Sequence, residues 1–416
     1  MSFSFPGLSA SLVRAVSHYA VPTEVQVAAI PAVLAGGDVL AIATTGSGKT
    51  TAFVLPLLQR WLDSKRKIPR QMQTLILVPT RELAAQVRGV VEEFSKHLPE
   101  RLKVVTAVGG VSINPQMMAL RGGADFIVAT PGRLLDLVDH NAVDLSEVKA
   151  LVLDEADRML DLGFAAELGR ILSLLPESRQ NLLFSATFPK VVEAMAQKIL
   201  QEPCRIDLTK DLLDQPAIQQ RAIRVDAENR APLLRHLIAT EGWQRALVFV
   251  ASQYAADHVA DKLRRNGISA GSFHGGISQG GRSGVLQDFK NSAIQVLVST
   301  DLAGRGLDIV ELPVVINYDL PRSAADYIHR IGRTGRAGEG GLAISFVTAG
   351  EDAKFCVIEK RQNLSIAREQ IAGFEPAATW AQEISSASGG MKGHRMSKKD
   401  KLRQAATAQN QPRQIR

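Results

Sequence analysis

The most restrictive feature of the sequence is a repeated pattern of short apolar segments, each separated from the next by enough chain for a helix. The first series occupies residues 39–43, 74–78, 125–129, 150–154 and 181–185, and the second occupies 245–250, 295–300, 314–318 and 342–347. Their β-branched composition and flanking turn residues are typical of buried parallel strands. The two series therefore predict an α/β protein with two parallel-sheet domains.

The predicted domain boundaries lie where the strand pattern stops. The first domain is expected over residues 1–208, a polar linker over 209–217 and the second domain over 218–373. The total length of 416 residues suits two domains of ordinary size. The segment 374–416 has a polar, Gln-rich and basic composition that cannot supply a packed core, so we expect a disordered tail there.

The net charge of +7 is concentrated in that tail. Between residues 389 and 416, eight Lys or Arg residues accompany one acidic residue, which accounts for the whole excess. The two predicted domains are therefore electrically balanced. Any contact with nucleic acid in the domains must come from individually placed groups, because bulk positive charge is absent there.

Composition argues against several classes of protein. No apolar stretch approaches the roughly 20 residues that cross a bilayer, and the N-terminus lacks the basic start and apolar core of a secretory signal. Cys204 and Cys356 have no spacing typical of disulfides or thiolate metal sites. These features predict a cytoplasmic protein that does not bind membranes.

A phosphate-binding loop follows the first predicted strand. Residues 43–50 read ATTGSGKT and lead into an apolar helical segment. Glycines in such a loop let backbone N–H groups approach phosphates at a helix N-terminus. Lys49 is expected to reach the β- and γ-phosphates of a nucleotide, and the Thr50 hydroxyl is expected to bind Mg²⁺. The other predicted nucleotide contacts in this loop are Thr45, Gly46, Ser47 and Gly48.

An acidic sequence, Asp-Glu-Ala-Asp, ends the strand predicted over 150–154. The carboxyl ends of strands are where open α/β sheets bind ligands. We expect Asp154 to hold Mg²⁺ and Glu155 to polarise the water that attacks the γ-phosphate. An acidic surface turn is the simpler alternative, but the nearby combination of Lys49 and Thr50 argues against it.

The motifs along residues 3–348 resemble, in order, those of the DEAD-box ATP-dependent RNA helicases. The compact core and short basic extension resemble the bacterial RhlE branch. This resemblance implies two tandem RecA-like domains, ATP and Mg²⁺ as cofactors, and hydrolysis in the cleft between the domains. It also implies single-stranded RNA on the other face, with local unwinding of short duplexes. By analogy with the family, a monomer is expected, with ribosomal precursors or RNA-decay proteins as partners.

The N-terminal segment PTEVQ resembles the adenine-reading motif of the family. Gln26 offers the donor and the acceptor that adenine requires, and Thr23 accompanies it. Phe3 is expected to stack on the base, with Phe5 as the alternative. Glu24 stands where the family usually has proline.

Further motifs resemble the RNA contacts of the family. Their hydroxyls, arginines and helix-terminal N–H groups can bind phosphates and sugars without reading bases. Glu82, inside the first of these motifs, is expected to pair locally with Arg81 or Arg133. The predicted RNA contacts are Pro79, Thr80, Arg81, Gly109, Gly110, Thr130, Pro131, Gly132, Arg133, Gln279, Arg282 and Thr300.

The segment 329–336, HRIGRTGR, resembles the arginine-finger motif of the family. Arg333 and Arg336 are expected to neutralise charge that develops on the γ-phosphate. Gly306 and Asp308 are expected to face the ribose. The residues predicted to couple ATP binding to RNA binding are Asp157, Ser185, Thr187, His329 and Arg330.

Two other functions stay open at this point. A DNA helicase or translocase of the same superfamily would share most of these residues, because none of them identifies a contact with a 2′-hydroxyl. An ATP-gated RNA clamp or annealing protein would bind RNA without separating strands. The tail is expected to add salt-sensitive RNA affinity, and a solubilising role is the alternative.

Overall fold

The computed structural model describes residues 5–19, 21–44, 46–64, 70–208, 218–304, 312–335, 340–362 and 364–377. Several sequence predictions lie outside these residues and stay predictions. They concern Phe3, Thr45, Gly306, Asp308, Arg336, the linker 209–217 and the tail beyond residue 377.

The first domain is a parallel sheet with helices on both faces. Its strands are β1 (Val39–Ile42), β2 (Thr74–Leu77), β3 (Val104–Ala107), β4 (Phe126–Ala129), β5 (Ala150–Asp154), β6 (Gln180–Ser185) and β7 (Cys204–Asp207), and they are arranged in the order β3-β4-β2-β5-β6-β1-β7. Its helices are α1 (Ala10–Ala15), α2 (Glu24–Leu34), α3 (Lys49–Asp63), α4 (Arg81–Ser95), α5 (Ile113–Leu120), α6 (Pro131–Asp139), α7 (Ala156–Asp161), α8 (Ala165–Leu174) and α9 (Lys190–Ile199).

The second domain repeats this architecture. Its strands are β8 (Gln219–Arg224), β9 (Ala246–Val250), β10 (Ala270–Phe273), β11 (Val296–Thr300), β12 (Val314–Asn317), β13 (Leu342–Val347) and β14 (Arg368–Glu369), in the order β10-β11-β9-β12-β13-β8-β14. Its helices are α10 (Arg230–Glu241), α11 (Gln253–Arg264), α12 (Gln279–Lys290), α13 (Asp301–Gly304), α14 (Ala324–Ile331) and α15 (Asp352–Gln362). The prediction of two parallel α/β domains is confirmed.

Alternating side chains of each central strand enter separate cores on the two faces of the sheet. In β1, Val39 and Ala41 pack into one core, whereas Leu40 and Ile42 pack into the other. In β9, Val248 and Phe249 divide between two cores in the same way. Burial on both faces explains why these strands are apolar along their whole length.

The carboxyl ends of the two sheets bring their loops together. Glu82, at the start of α4, meets Arg282 of α12, and Asp157 of α7 lies near His329 of α14. The candidate functional residues therefore gather between the two domains. Within the described part of the chain, no helix has the length and apolar composition required to cross a membrane.

Candidate functional site

The phosphate-binding loop joins β1 to α3 and depends on left-handed backbone at Gly48. This residue has φ of 92°, and a Cβ atom there would lie 2.4 Å from Gln26 Nε2. Lys49 is 6% exposed, and its Nζ donates a hydrogen bond of 2.8 Å to the carbonyl of Ala43. The N-terminus of α3 and the buried Lys49 cation thus lie together at this loop, an arrangement that suits a polyphosphate.

Gln26 connects the N-terminal motif to this loop. Its Oε1 accepts a hydrogen bond of 2.9 Å from the Thr23 backbone N–H, and its Nε2 donates to the Gly48 carbonyl at 3.2 Å. One amide N–H and one oxygen lone pair remain, which is what adenine would require. Phe5 is 8% exposed and packs in the core of the first domain. That burial removes Phe5 as a candidate for stacking on the base.

Asp154 is a buried carboxyl group at the end of β5. It is 2% exposed, and Oδ1 accepts a hydrogen bond of 3.0 Å from the Glu155 backbone N–H. Burial raises the pKa of Asp154 to about 7, although the positive charge of Lys49 acts in the opposite direction. A cation bound beside this carboxyl group would favour its ionised form.

Glu155 follows in left-handed backbone, with φ of 54°, and begins α7. Burial acts to raise the pKa of Glu155, but Arg158, then Arg333, Lys49 and His329, hold it below its ordinary value. Arg158, only 1% exposed, lies with Nη1 3.3 Å from Glu155 Oε2. Sequence analysis did not identify Arg158, whose only signal was a basic residue directly after the acidic motif.

Four of the five residues predicted to couple the two ligands, all except Arg330, lie together around Asp157. Its Oδ2 accepts hydrogen bonds from the Thr187 backbone N–H at 2.9 Å and from Thr187 Oγ1 at 2.6 Å. Ser185 Oγ accepts from the Asp157 backbone N–H at 3.2 Å. His329 Nε2, from the second domain, lies 3.7 Å from Asp157 Oδ2. Burial acts to raise the pKa of Asp157, but His329 and the Thr187 hydrogen bond lower it.

Arg333 is the predicted arginine finger that the structure describes. It is 4% exposed, and its charge helps to lower the pKa of Glu155 across the domain boundary. Arg330, by contrast, contacts residues of its own domain. Its Nη2 donates to Asp301 Oδ2 at 2.8 Å, and its guanidinium lies 5.0 Å from the ring centroid of Phe249. Arg330 therefore anchors the finger motif to the end of β11.

The predicted RNA contacts of the first domain form one connected surface. Arg81 Nη1 donates to the Gly110 carbonyl at 3.2 Å, and Arg133 Nη2 donates to the Val111 carbonyl at 2.9 Å. Thr130 Oγ1 accepts from the Gly109 N–H at 3.4 Å. Pro131 and Gly132 open α6, Thr80 caps α4, and Pro79 precedes that cap.

The expected local pairing of Glu82 is wrong. Glu82 Oε1 lies 2.8 Å from Arg282 Nη1 of the second domain, and the two side chains are 9% and 4% exposed. Arg282 Nη2 also donates to Gln279 Oε1 at 2.5 Å. Arg133 instead pairs with Asp136, at 3.3 Å. The sequence could indicate only neighbours along the helix, whereas the true partner comes from the other domain.

A cavity of about 580 Å³ lies between the domains beside these residues. Asp161 and Leu162 line it from the first domain. The second domain contributes Ala251, Ser252, Gln253, Gly275, Thr300, Asp301, Leu320, Arg322, Ser323, Asp326 and Arg330. The cavity thus includes Thr300, a predicted RNA contact, and both polar and apolar side chains line its walls.

Two family models match the chain. Residues 23–195 match the DEAD/DEAH box helicase model, and residues 229–338 match the helicase conserved C-terminal domain. The chain is 40% identical over 377 residues to the ATP-dependent RNA helicase DeaD of Mycobacterium tuberculosis, covering 89% of this chain and 66% of that protein. It is 37% identical over 380 residues to the DEAD-box ATP-dependent RNA helicase CshA of Bacillus cereus, covering 91% of this chain and 71% of that protein.

The comparison with solved structures also finds an RNA-bound relative. Dbp5 of S. cerevisiae, bound to RNA and ADP BeF3, superposes with a TM-score of 0.78 at 30% identity, covering 92% of this chain and 97% of that chain. The present chain spans about two thirds of the length of the curated relatives described above.

Proposed function

Because the chain belongs to the DEAD-box family of RNA helicases, we propose that it couples ATP hydrolysis to the binding and local unwinding of RNA. The observation that carries this proposal is the meeting of Arg333 and His329 of the second domain with Glu155 and Asp157 of the first. A site divided in this way can work only while the domains are together. Turnover then depends on whatever holds them together, and RNA spanning both domains would do so.

The residues around the phosphate-binding loop support specific roles in hydrolysis. Lys49 would bind the β- and γ-phosphates in place of the Ala43 carbonyl, Glu155 would orient the attacking water, and Arg333 would neutralise charge developing on the γ-phosphate. Burial between the domains strengthens each of these electrostatic contacts, because water is excluded. We assign the same charge-neutralising role to Arg336, and contacts with the ribose to Gly306 and Asp308.

The donor chemistry of the site suits Mg²⁺. The Asp154 carboxylate and the Thr50 hydroxyl are hard oxygen ligands, and the burial that raises the pKa of Asp154 leaves it in need of a counter-charge. Among the described residues, no group of three or more His, Cys, Asp or Glu side chains is placed to hold a metal ion. Asp154 and Thr50 would hold an Mg²⁺ ion that is bound to the nucleotide, and the ion would supply neutralisation of phosphate charge.

RNA is the nucleic acid that the proposal names, and an ATPase assay tests it. A single-stranded RNA should stimulate ATP hydrolysis strongly, whereas a DNA of the same sequence should stimulate it weakly. Lys49→Gln, which removes the phosphate-binding cation, should abolish ATP hydrolysis with either polymer. That result would show that the measured hydrolysis does not come from a contaminating ATPase. Equal stimulation by the two polymers would contradict an RNA-specific function and favour a DNA translocase.

Unwinding is tested separately with a short RNA duplex that carries a single-stranded extension. We expect strand separation that requires ATP, because a bent strand held by both domains cannot stay paired. Strand annealing, or a complex that persists without separation, would instead identify an ATP-gated clamp.

Within the family, we propose a RhlE-like protein of the cytoplasm, acting as a monomer on ribosomal precursors or with RNA-decay proteins. The support for this finer assignment is the resemblance of the two-domain core, and of the basic segment that follows it, to that branch. RNA from cells expressing Glu155→Gln, a variant expected to hold RNA without turnover, can be crosslinked and sequenced to identify the natural target.

Deleting residues 381–416 should weaken RNA binding in a salt-dependent manner. The described chain ends beside the cleft edge of the second sheet, where the Ala377 N–H donates to Asp226 Oδ2 at 2.8 Å, just after β8. We propose that the basic residues that follow contact a strand bound between the domains. In the deletion variant, the negative slope of log affinity against log salt should become shallower by about 0.7 for each phosphate that the tail contacts. Replacing the basic residues by Gln at full length is the matched control, and an unchanged slope would indicate a solubilising tail.

A further inference from the structure

Tyr254 and His258 form a pair of stacked rings on α11, at the edge of the second domain. Tyr254 is 77% exposed, whereas most aromatic side chains of the described residues are buried in cores. The two ring centroids are 5.6 Å apart, with an interplanar angle of 11°. Because the rings are one helical turn apart, the histidine packs against one face of the tyrosine. The other face of Tyr254 is thus an aromatic surface open to solvent.

This aromatic pair lies next to the candidate RNA surface. Ser252 caps α11 by accepting a hydrogen bond of 3.1 Å from the Ala255 N–H, and both Ser252 and Gln253 line the cavity between the domains. The preceding strand β9 pairs with β11, where Val250 lies opposite Thr300. Tyr254 therefore follows directly after residues that share a cavity wall with a predicted RNA contact.

We propose that Tyr254 is a stacking platform for one unpaired base of the bound RNA. The inference rests on the proposed function, since it requires RNA along the cavity between the domains. The predicted contacts there reach phosphates and sugars, which leaves the bases free to turn outward. An aromatic ring stacks on any base, so the platform would add affinity without adding sequence preference.

Such a platform would also favour strand separation. A base that stacks on Tyr254 is withdrawn from its own helical stack and from its complement. The stacking free energy then offsets part of the cost of opening one base pair. The substrate class is therefore a single strand, or the end of a short duplex, that extends past the phosphates bound near Thr300.

The test is RNA affinity, measured with a non-hydrolysable ATP analogue for the full chain and its variants. Tyr254→Ala should weaken the affinity for single-stranded RNA by about 5- to 100-fold, whereas Tyr254→Trp should retain it. Val357→Ala, which removes a side chain 52% exposed on α15 of the same domain, is the matched control and should bind normally. Thermal unfolding confirms that each variant folds.

A fluorescent adenine analogue, moved along the RNA one position at a time, locates the contact. One position should be quenched in the wild-type complex and recover in Tyr254→Ala. Removal of the base at that position should weaken wild-type binding and leave Tyr254→Ala unchanged. If wild-type protein binds RNA and Tyr254→Ala binds equally well, the platform is wrong while the proposed function stands. If wild-type protein does not bind RNA, the proposed function itself fails.

Discussion

Arg333→Ala is expected to lower RNA-stimulated ATP hydrolysis by about 10³- to 10⁵-fold, the range found for arginine fingers in phosphoryl transfer. Arg333 is 4% exposed, and its charge reaches Glu155 from the other domain. The charge that develops on the γ-phosphate would lose its counter-charge from the second domain. Rapid-quench measurement of a single turnover at saturating ATP and RNA gives the rate of hydrolysis directly.

The control for this prediction is ATP affinity, measured with a fluorescent analogue. The first domain supplies Lys49 and the phosphate-binding loop, so Arg333→Ala should still bind ATP. Arg333→Lys should recover only part of the rate, because a compact ammonium group lacks the planar fork of guanidinium. Wild-type turnover in Arg333→Ala would mean that Arg333 takes no part in hydrolysis, and its role as an arginine finger would be wrong.

The central strands of both sheets could be predicted from the sequence, but the outer strands could not. Buried strands such as β1 and β9 are apolar along their length because helices cover both faces. The edge strand β7 begins with Cys204 and Arg205, both exposed, so it lacks any apolar run. The strands β3, β8, β10 and β14, also unpredicted, lie at or next to the sheet edges.

Site residues that belong to a single motif could also be predicted from the sequence. The roles of Lys49 and Thr50 follow from their spacing within the phosphate-binding loop, and the role of Asp154 follows from its position at the end of a strand. Each role can be inferred from neighbouring residues alone.

Contacts between motifs were predictable around Asp157, where Ser185, Thr187 and His329 were expected, but not elsewhere. Arg282 beside Glu82 depends on how helices of the two domains approach, which no local pattern states. Arg158 lies three residues after Glu155 at the start of the same helix, so its contact is local and was simply missed.

The interdomain contacts imply that charge, rather than apolar surface, controls domain closure. Glu82 with Arg282 and Asp157 with His329 join side chains that would be hydrated if the domains separated. Burying such charges is costly unless each has its partner, so the paired arrangement is sensitive to single substitutions. ATP and RNA, which each contact both domains in the proposed mechanism, would supply the remaining free energy and therefore bind cooperatively.

Glu82→Gln is expected to reduce this cooperativity by about 10²-fold or more. Glu82 Oε1 lies 2.8 Å from Arg282 Nη1, and the substitution would leave the arginine buried without its counter-charge. Breaking one partner of a buried ion pair costs about 3–5 kcal/mol. The cost applies only while the domains are together, since Arg282 returns to water when they separate. The measurement is the ratio of RNA affinities with and without a non-hydrolysable ATP analogue.

Two comparisons separate this effect from a loss of RNA contacts. Arg282→Gln should weaken RNA binding even without nucleotide, because Arg282 is itself a predicted RNA contact, whereas Glu82→Gln should not. Asp139→Asn breaks an exposed pair with Arg170 inside the first domain, and exposed pairs contribute little because water and salt screen them, so the ratio should stay at the wild-type value. Glu82→Gln combined with Arg282→Gln leaves no unpaired charge and should recover part of the cooperativity. If Glu82→Gln alone keeps the wild-type ratio, the pair of Glu82 with Arg282 does not hold the domains together.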